Sequence, residues 1–196
     1  MTDNFAPGKW LRTLFYIHIG LLAATIASWL PIPDQGITWV KRILILATVL
    51  CLFRLSPLNP HYHKATIFRG LYIAGVLLTP YLFQSFVITL VVSIFSILAA
   101  YHTYHGHSRL IACVDADLSQ KWSRFFGWAL LVEVLTSIGS SILTVAATLM
   151  GFSVSSIIST VMIILTLPRA IVDVCYLIYL NRTVRLFYNT EGDIYG

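Results

Sequence analysis

The chain has 196 residues, of which 58% are hydrophobic and only 11% are charged. Soluble domains are about half apolar and about one quarter charged, so this composition excludes an ordinary soluble domain and predicts one membrane domain. The net charge of +5 does not imply a nucleic-acid partner, because the basic residues stand in ones and twos between apolar runs. That pattern is typical of short loops beside an anionic lipid bilayer.

Six apolar segments predict an all-α integral membrane protein, a six-span transmembrane helical bundle that forms a single domain. Each segment is close to the roughly 17 to 25 residues that a helix needs to cross the hydrocarbon layer. Residues 70–102 contain no charge, and Pro80 divides them between two spans. The predicted spans are approximately residues 13–30, 38–55, 64–79, 82–101, 122–149 and 155–180.

The placement of basic residues predicts that both termini are cytoplasmic. Six spans put most of the lysine and arginine residues on the side of the termini and leave only Lys41 and Arg42 opposite. The positive-inside rule favours this arrangement, and a plasma or inner cell membrane location follows from it. The residues on the predicted cytoplasmic side are Lys9, Arg12, Arg54, Lys64, Arg69, Arg109, Lys121, Arg124, Arg182 and Arg185.

Two acids lie inside predicted spans at similar depth. Glu133 is nine residues past Arg124, and Asp173 is eight residues before Asn181. Arg169 precedes Asp173 by one helical turn, where it can pair with either acid. His18 in the first span can join the same layer, and Pro168 predicts a kink beside it. Charges in a bilayer are costly and usually face a wet cavity, so these residues predict a substrate or ion site, with an ion-paired structural staple as the alternative.

Histidines gather near the predicted cytoplasmic face. His102 and His105 share a helix face, and Gly106 can turn the chain so that His107 returns toward them. Imidazoles grouped in this way can bind a transition metal. The alternative is that they are solvated interfacial side chains. The nearby Asp117 is predicted to cap the following helix, with no such role for Asp115. The three cysteines are too far apart to predict a disulfide or thiolate site, and are expected to be small buried apolar residues.

The six predicted spans, the cytoplasmic termini and the small residues Ala23, Ala24, Thr25 and Ala27 in the first span resemble the substrate-binding subunits of energy-coupling-factor vitamin transporters. The motif resemblance covers that span alone. In such proteins small residues contact a coupling subunit, so the resemblance implies a membrane or ATPase partner.

Three functional hypotheses follow from these patterns. The first is a small transporter, or the membrane subunit of one, with a polar site of Glu133, Arg169, Asp173 and His18 for a small molecule or ion. The second is a membrane enzyme that uses a metal at His102, His105 and His107. The third is a non-catalytic assembly or regulatory protein in which the ion pairs are structural. The signatures of common six-span enzymes, such as a GxSG serine motif, do not occur in the sequence, which favours a protein that is not an enzyme.

Overall fold

The computed structural model describes residues 7–30, 34–78, 86–149 and 156–195, and these are almost entirely helical. The six helices predicted from the apolar runs are confirmed. They are α1 (Pro7–Ala27), α2 (Asp34–Leu55), α3 (Pro60–Leu78), α4 (Phe86–Ile111), α5 (Ala116–Leu149) and α6 (Ser156–Tyr195). The charge-free region 70–102 therefore contains parts of two helices, although the dividing residues 79–85 lie outside the described part.

The connection from α2 to α3 shows how the sequence places a helix end. A 3-10 turn at Ser56–Leu58 follows α2, and Asn59 is extended with φ −159° and ψ 131°. A residue before proline avoids the helical region, so Pro60 favours this extended backbone. The Asn59 side-chain oxygen accepts the His61 amide at 2.9 Å, which makes Asn59 the cap and Pro60 the first helical residue of α3.

The start of α5 corrects one prediction. Asp115, and not Asp117, caps this helix, because its Oδ1 accepts the Leu118 amide at 2.8 Å. Asp117 lies inside the first turn and forms an ion pair with Lys121 one turn later. The chain turns at residues 112–114 before the cap, so the helix begins two residues earlier than expected.

The helices form a closed ring. The main packing contacts join each helix to the next one along the chain, and α6 also packs against α1. Side chains that point outward are mainly apolar: on α2, for example, they recur every three or four residues as Trp39, Ile43, Leu46, Leu50 and Phe53. Within the described residues, Pro7–Ala27 and Gln35–Leu58 are long and apolar enough to cross a membrane.

The densest packing lies at the end of the ring near the start of α1 and the connection from α4 to α5. Several large side chains there are fully buried, and they come from all six helices. They include Leu11, Leu14, Leu52, Leu55, Tyr62, Ile111, Trp122 and Leu180. This core closes one end of the ring and leaves space further along it.

Candidate functional site

A cavity of about 410 Å³ occupies the interior of the ring. All six helices contribute side chains to its wall, and the four residues predicted as a substrate or ion site are among them. These are His18 from α1, Glu133 from α5, and Arg169 and Asp173 from α6. The structure thus places the predicted group around one space.

Arg169 and Glu133 form an ion pair across the boundary between α6 and α5. Arg169 Nη2 lies 3.4 Å from Glu133 Oε1. The Arg169 side chain is half exposed and that of Glu133 is one-quarter exposed, so the pair remains reachable from the cavity. The sequence left open which acid Arg169 would join, and the structure selects Glu133.

His18 lies where the cavity meets the packed end of the ring. Its Nδ1 lies 2.9 Å from the Leu14 carbonyl oxygen, and since a carbonyl only accepts, Nδ1 carries the proton. The His18 ring packs on Tyr176 of α6, with 4.6 Å between ring centroids. This contact joins the first and last helices of the ring.

Sequence reasoning missed two cations in the cavity wall, Lys41 of α2 and Arg69 of α3. Both were interpreted as charges at the ends of spans. Lys41 Nζ donates to Ser28 Oγ at 3.1 Å, and Arg69 contributes to the wall together with Tyr72. A helical-wheel comparison carries the missing signal, because both residues lie opposite the exposed apolar stripes of their helices.

The predicted metal ligands separate into two groups. His61 of α3 and His102 of α4 face one another, with their Nδ1 atoms 3.1 Å apart. His105 lies beside them, with its ring 5.8 Å from that of His61. Burial, followed by the charge of Arg109, lowers the pKa of His61, and burial, followed by the charge of His61, lowers the pKa of His102.

His107 is not part of this histidine group. Helix α4 continues through Gly106 instead of turning there, so His107 points into the buried core. Its Nδ1 lies 2.8 Å from the Tyr62 hydroxyl and its Nε2 lies 3.2 Å from the Tyr176 hydroxyl. Both ring nitrogens are therefore engaged by protein groups. Among the described residues, no set of three His, Cys, Asp or Glu side chains is arranged to hold a metal ion.

The three cysteines are free thiols in different environments. Cys51 is buried as expected and Cys175 is half-buried, whereas Cys113 is exposed in the turn between α4 and α5. The expectation that all three are buried is therefore wrong for Cys113, because that residue lies in a connection and not on the inward face of a helix.

Comparisons with protein families, with curated proteins and with solved structures give no match to this chain.

Proposed function

We propose that this protein is a small transporter, or the membrane-embedded binding subunit of one, and that it binds its solute in the cavity of the helix ring. One observation carries the proposal: charged side chains from four helices share an internal cavity, while the outer surface of the same helices is apolar. Soluble proteins have the opposite distribution, with charged side chains outside and apolar ones inside. The distribution seen here suits a protein that is surrounded by lipid and contains water.

The free-energy cost of placing charged side chains inside a membrane supports a functional role for the cavity. A charged side chain at the centre of a bilayer costs about 2.5 to 3.5 kcal/mol on insertion scales, and such side chains usually mark substrate or ion pathways. An ion-paired staple needs only Arg169 and Glu133. The cavity also contains Lys41, Arg69 and Asp173, so its charge exceeds what a staple requires.

The closed end of the ring also supports transport. Transporters place their site near the middle of the membrane and admit the solute from one side at a time. The cavity lies between the packed core around Trp122 and the opposite end of the ring, where Ser28, Trp29 and Lys41 contribute to its wall. A solute in the cavity is therefore separated from the predicted cytoplasmic side by a layer of buried side chains.

A matched pair of cysteine variants tests the proposal. Val172 lines the cavity, and Val174 is 44% exposed on the outer surface of the same helix. Val172→Cys and Val174→Cys are made in a chain whose three native cysteines are replaced by alanine, and the protein is placed in lipid vesicles. A small neutral thiosulfonate that needs an ionised thiol is added, and the reaction is followed by mass spectrometry.

If the solute binds in the cavity as proposed, Val172→Cys gives a reactive thiol. Val174→Cys gives an inert one. Only a thiol in contact with water ionises readily, and a thiol that faces lipid stays protonated. An inert thiol at 172 would mean that the cavity is dry and would refute the proposal. Faster reaction at 174 than at 172 would mean that the outer face is the wetter of the two, which would also refute it.

A further inference from the structure

The fixed charges of the cavity do not balance. Among the described residues, its wall contains three cations, Lys41, Arg69 and Arg169, and two acids, Glu133 and Asp173. His18 adds no charge when its ring is neutral. The cavity therefore carries one excess positive charge, and the Arg169 to Glu133 ion pair already uses one charge of each sign.

Arg69 is the cation that the protein leaves least satisfied. Its Nε is buried and has no hydrogen-bond partner in the described part of the chain. No described acid lies within ion-pairing distance of its guanidinium group, since the ion pairs of the described side chains join Lys121 to Asp117 and Arg169 to Glu133. A guanidinium group whose Nε is buried without a hydrogen bond is costly. Such a group is retained most easily where a ligand supplies the missing partner.

The rest of the wall favours an organic ligand over a bare inorganic ion. Apolar and aromatic side chains make up much of the surface, and hydroxyl groups are interspersed among them. A volume of about 410 Å³ lies within the usual range of small-molecule sites. The apolar and aromatic contributors include Leu22, Ile45, Ile97, Phe126, Leu130 and Val172.

We propose that the ligand of this cavity is a small organic anion, with its carboxylate or phosphate group bound by Arg69 and its apolar body against the walls. The planar guanidinium donates two parallel hydrogen bonds to such a group, which a lysine cannot do. A monoanion also cancels the excess charge of the cavity. This inference rests on the proposed binding function and adds the chemical class of the ligand.

Hexanoate and hexanamide provide the test, because they share a size and an apolar chain and differ in charge. Thermal stability of the purified full chain in neutral detergent is measured with each compound, for the wild type, Arg69→Gln and Arg124→Gln. Arg124 is an exposed arginine outside the cavity wall and serves as the matched control. A ligand that binds only the folded protein raises its melting temperature.

Hexanoate is expected to stabilise the wild type and Arg124→Gln, and hexanamide to have little effect. Arg69→Gln should weaken the apparent affinity for hexanoate about tenfold or more, because the hydrogen bonds from the charged guanidinium to the carboxylate are lost. Equal stabilisation by hexanamide, or an unchanged affinity in a folded Arg69→Gln protein, would overturn the inference.

A second measurement keeps Arg69 intact, in case its replacement prevents folding. The Val172→Cys protein is treated with an anionic and with a cationic thiosulfonate, and each rate is divided by that for a free thiol in solution. The anionic reagent is expected to react faster on this scale, because the cavity is positive. A preference for the cationic reagent would contradict the inference even without data on Arg69→Gln.

Two further comparisons separate the possible outcomes. An acidic lipid carries the same chemistry as a soluble organic acid, so stabilisation in nanodiscs of phosphatidylglycerol relative to phosphatidylcholine, without an effect of hexanoate, would assign the anion to a lipid headgroup. The neutral reagent can react with the thiol at 172 while hexanoate does not stabilise the wild type and the anionic reagent is not preferred. In that case only the anion inference fails. An inert thiol at 172 instead refutes the proposed function.

Discussion

His107 links three helices through its imidazole. In the neutral ring one nitrogen donates and the other accepts, so the hydroxyls of Tyr62 on α3 and Tyr176 on α6 satisfy both atoms. The ring also packs on Trp122 of α5, with 4.8 Å between centroids. Burial, followed by the charge of His18, lowers the pKa of His107 to about 3. The residue therefore acts as a neutral hydrogen-bonding hub of the packed end.

This hub predicts a loss of stability in mild acid. The pKa of His107 is lower in the folded chain than the value of 6.5 expected when unfolded, so the unfolded state binds more protons between about pH 6.5 and pH 3. Stability due to this residue is complete above pH 6.5 and falls as the pH decreases through that window, by up to about 1.4 kcal/mol per pH unit. Unfolding in detergent, followed from pH 7 to pH 5, measures the slope.

Replacement of the histidine separates its contribution from that of other groups. His61 and His102 also have lowered pKa values and act in the same direction, so the comparison between variants is the relevant quantity. His107→Gln should have a smaller slope than the wild type. His63→Gln is the matched control, because it also removes one imidazole but from an exposed position of α3. If His107→Gln kept the wild-type slope, folding would not lower the pKa of His107, which would contradict the prediction.

At the residue level the sequence predicted members of the site better than their contacts. Glu133, Asp173 and Arg169 stand out because acids and cations are rare in apolar runs. Arg69 and Lys41 were missed because each lies near the end of a span, where a charge has the simple explanation of reaching the interface. The packing of the ring shows that both face inward.

At the level of helices, Gly106 explains how α3 and α4 approach closely. A Cβ atom at this position would lie 2.8 Å from Cε1 of the Tyr62 ring. A real side chain cannot occupy that distance, so the glycine makes room for the ring that binds His107. The sequence suggested a turn at Gly106, but the glycine is retained for close packing within a continuous helix.

Gly106→Ala is therefore expected to destabilise the protein by about 1 to 3 kcal/mol, the usual cost of overpacking a core. Gly127→Ala is the control, since a Cβ atom there would meet nothing within 4 Å and alanine favours a helix over glycine by up to about 1 kcal/mol. Reversible unfolding in detergent measures both changes. A harmless Gly106→Ala would mean that Tyr62 moves aside easily.

The extent of the helices was less predictable than their number. An apolar run measures the part of a helix that can lie in hydrocarbon, whereas the helix continues while its backbone hydrogen bonds can form. Helix α4 thus runs ten residues past the end of its predicted span, and α6 runs to Tyr195 instead of ending near Arg182. The polar ends of these helices have no apolar residues repeating at helical spacing, so the sequence does not indicate that the helices continue there.

For the whole molecule, Cys113 offers a test of orientation without any engineered residue. It is exposed in the turn between α4 and α5, which the basic residues predict to be cytoplasmic. In intact cells a membrane-impermeant maleimide should leave it unlabelled, and permeabilisation should allow labelling because the reagent then reaches the turn. Cys113→Ala should remove most of the label. Strong labelling of intact cells at Cys113 would reverse the predicted topology.

Composition and charge were sufficient to predict a helical molecule with six helices, and they drew attention to Glu133 and Asp173 as acids within apolar runs. They could not predict the ring, because both faces of each helix are rich in apolar residues and the pattern does not specify which helices are neighbours. The separation of His107 from His102 and His105 was also hidden, since it depends on whether the chain turns at Gly106.

The order of contacts in the ring has a mechanical consequence. Five of its six contacts join helices that follow one another, so a short connection limits how far each pair can separate. The contact between α1 and α6 joins the first helix to the last and has no such tether. Side-chain packing, including the His18 ring on Tyr176, holds the ring shut there. Separation of α1 from α6 is therefore opposed by side-chain packing alone, whereas a connection also limits the separation of every other neighbouring pair.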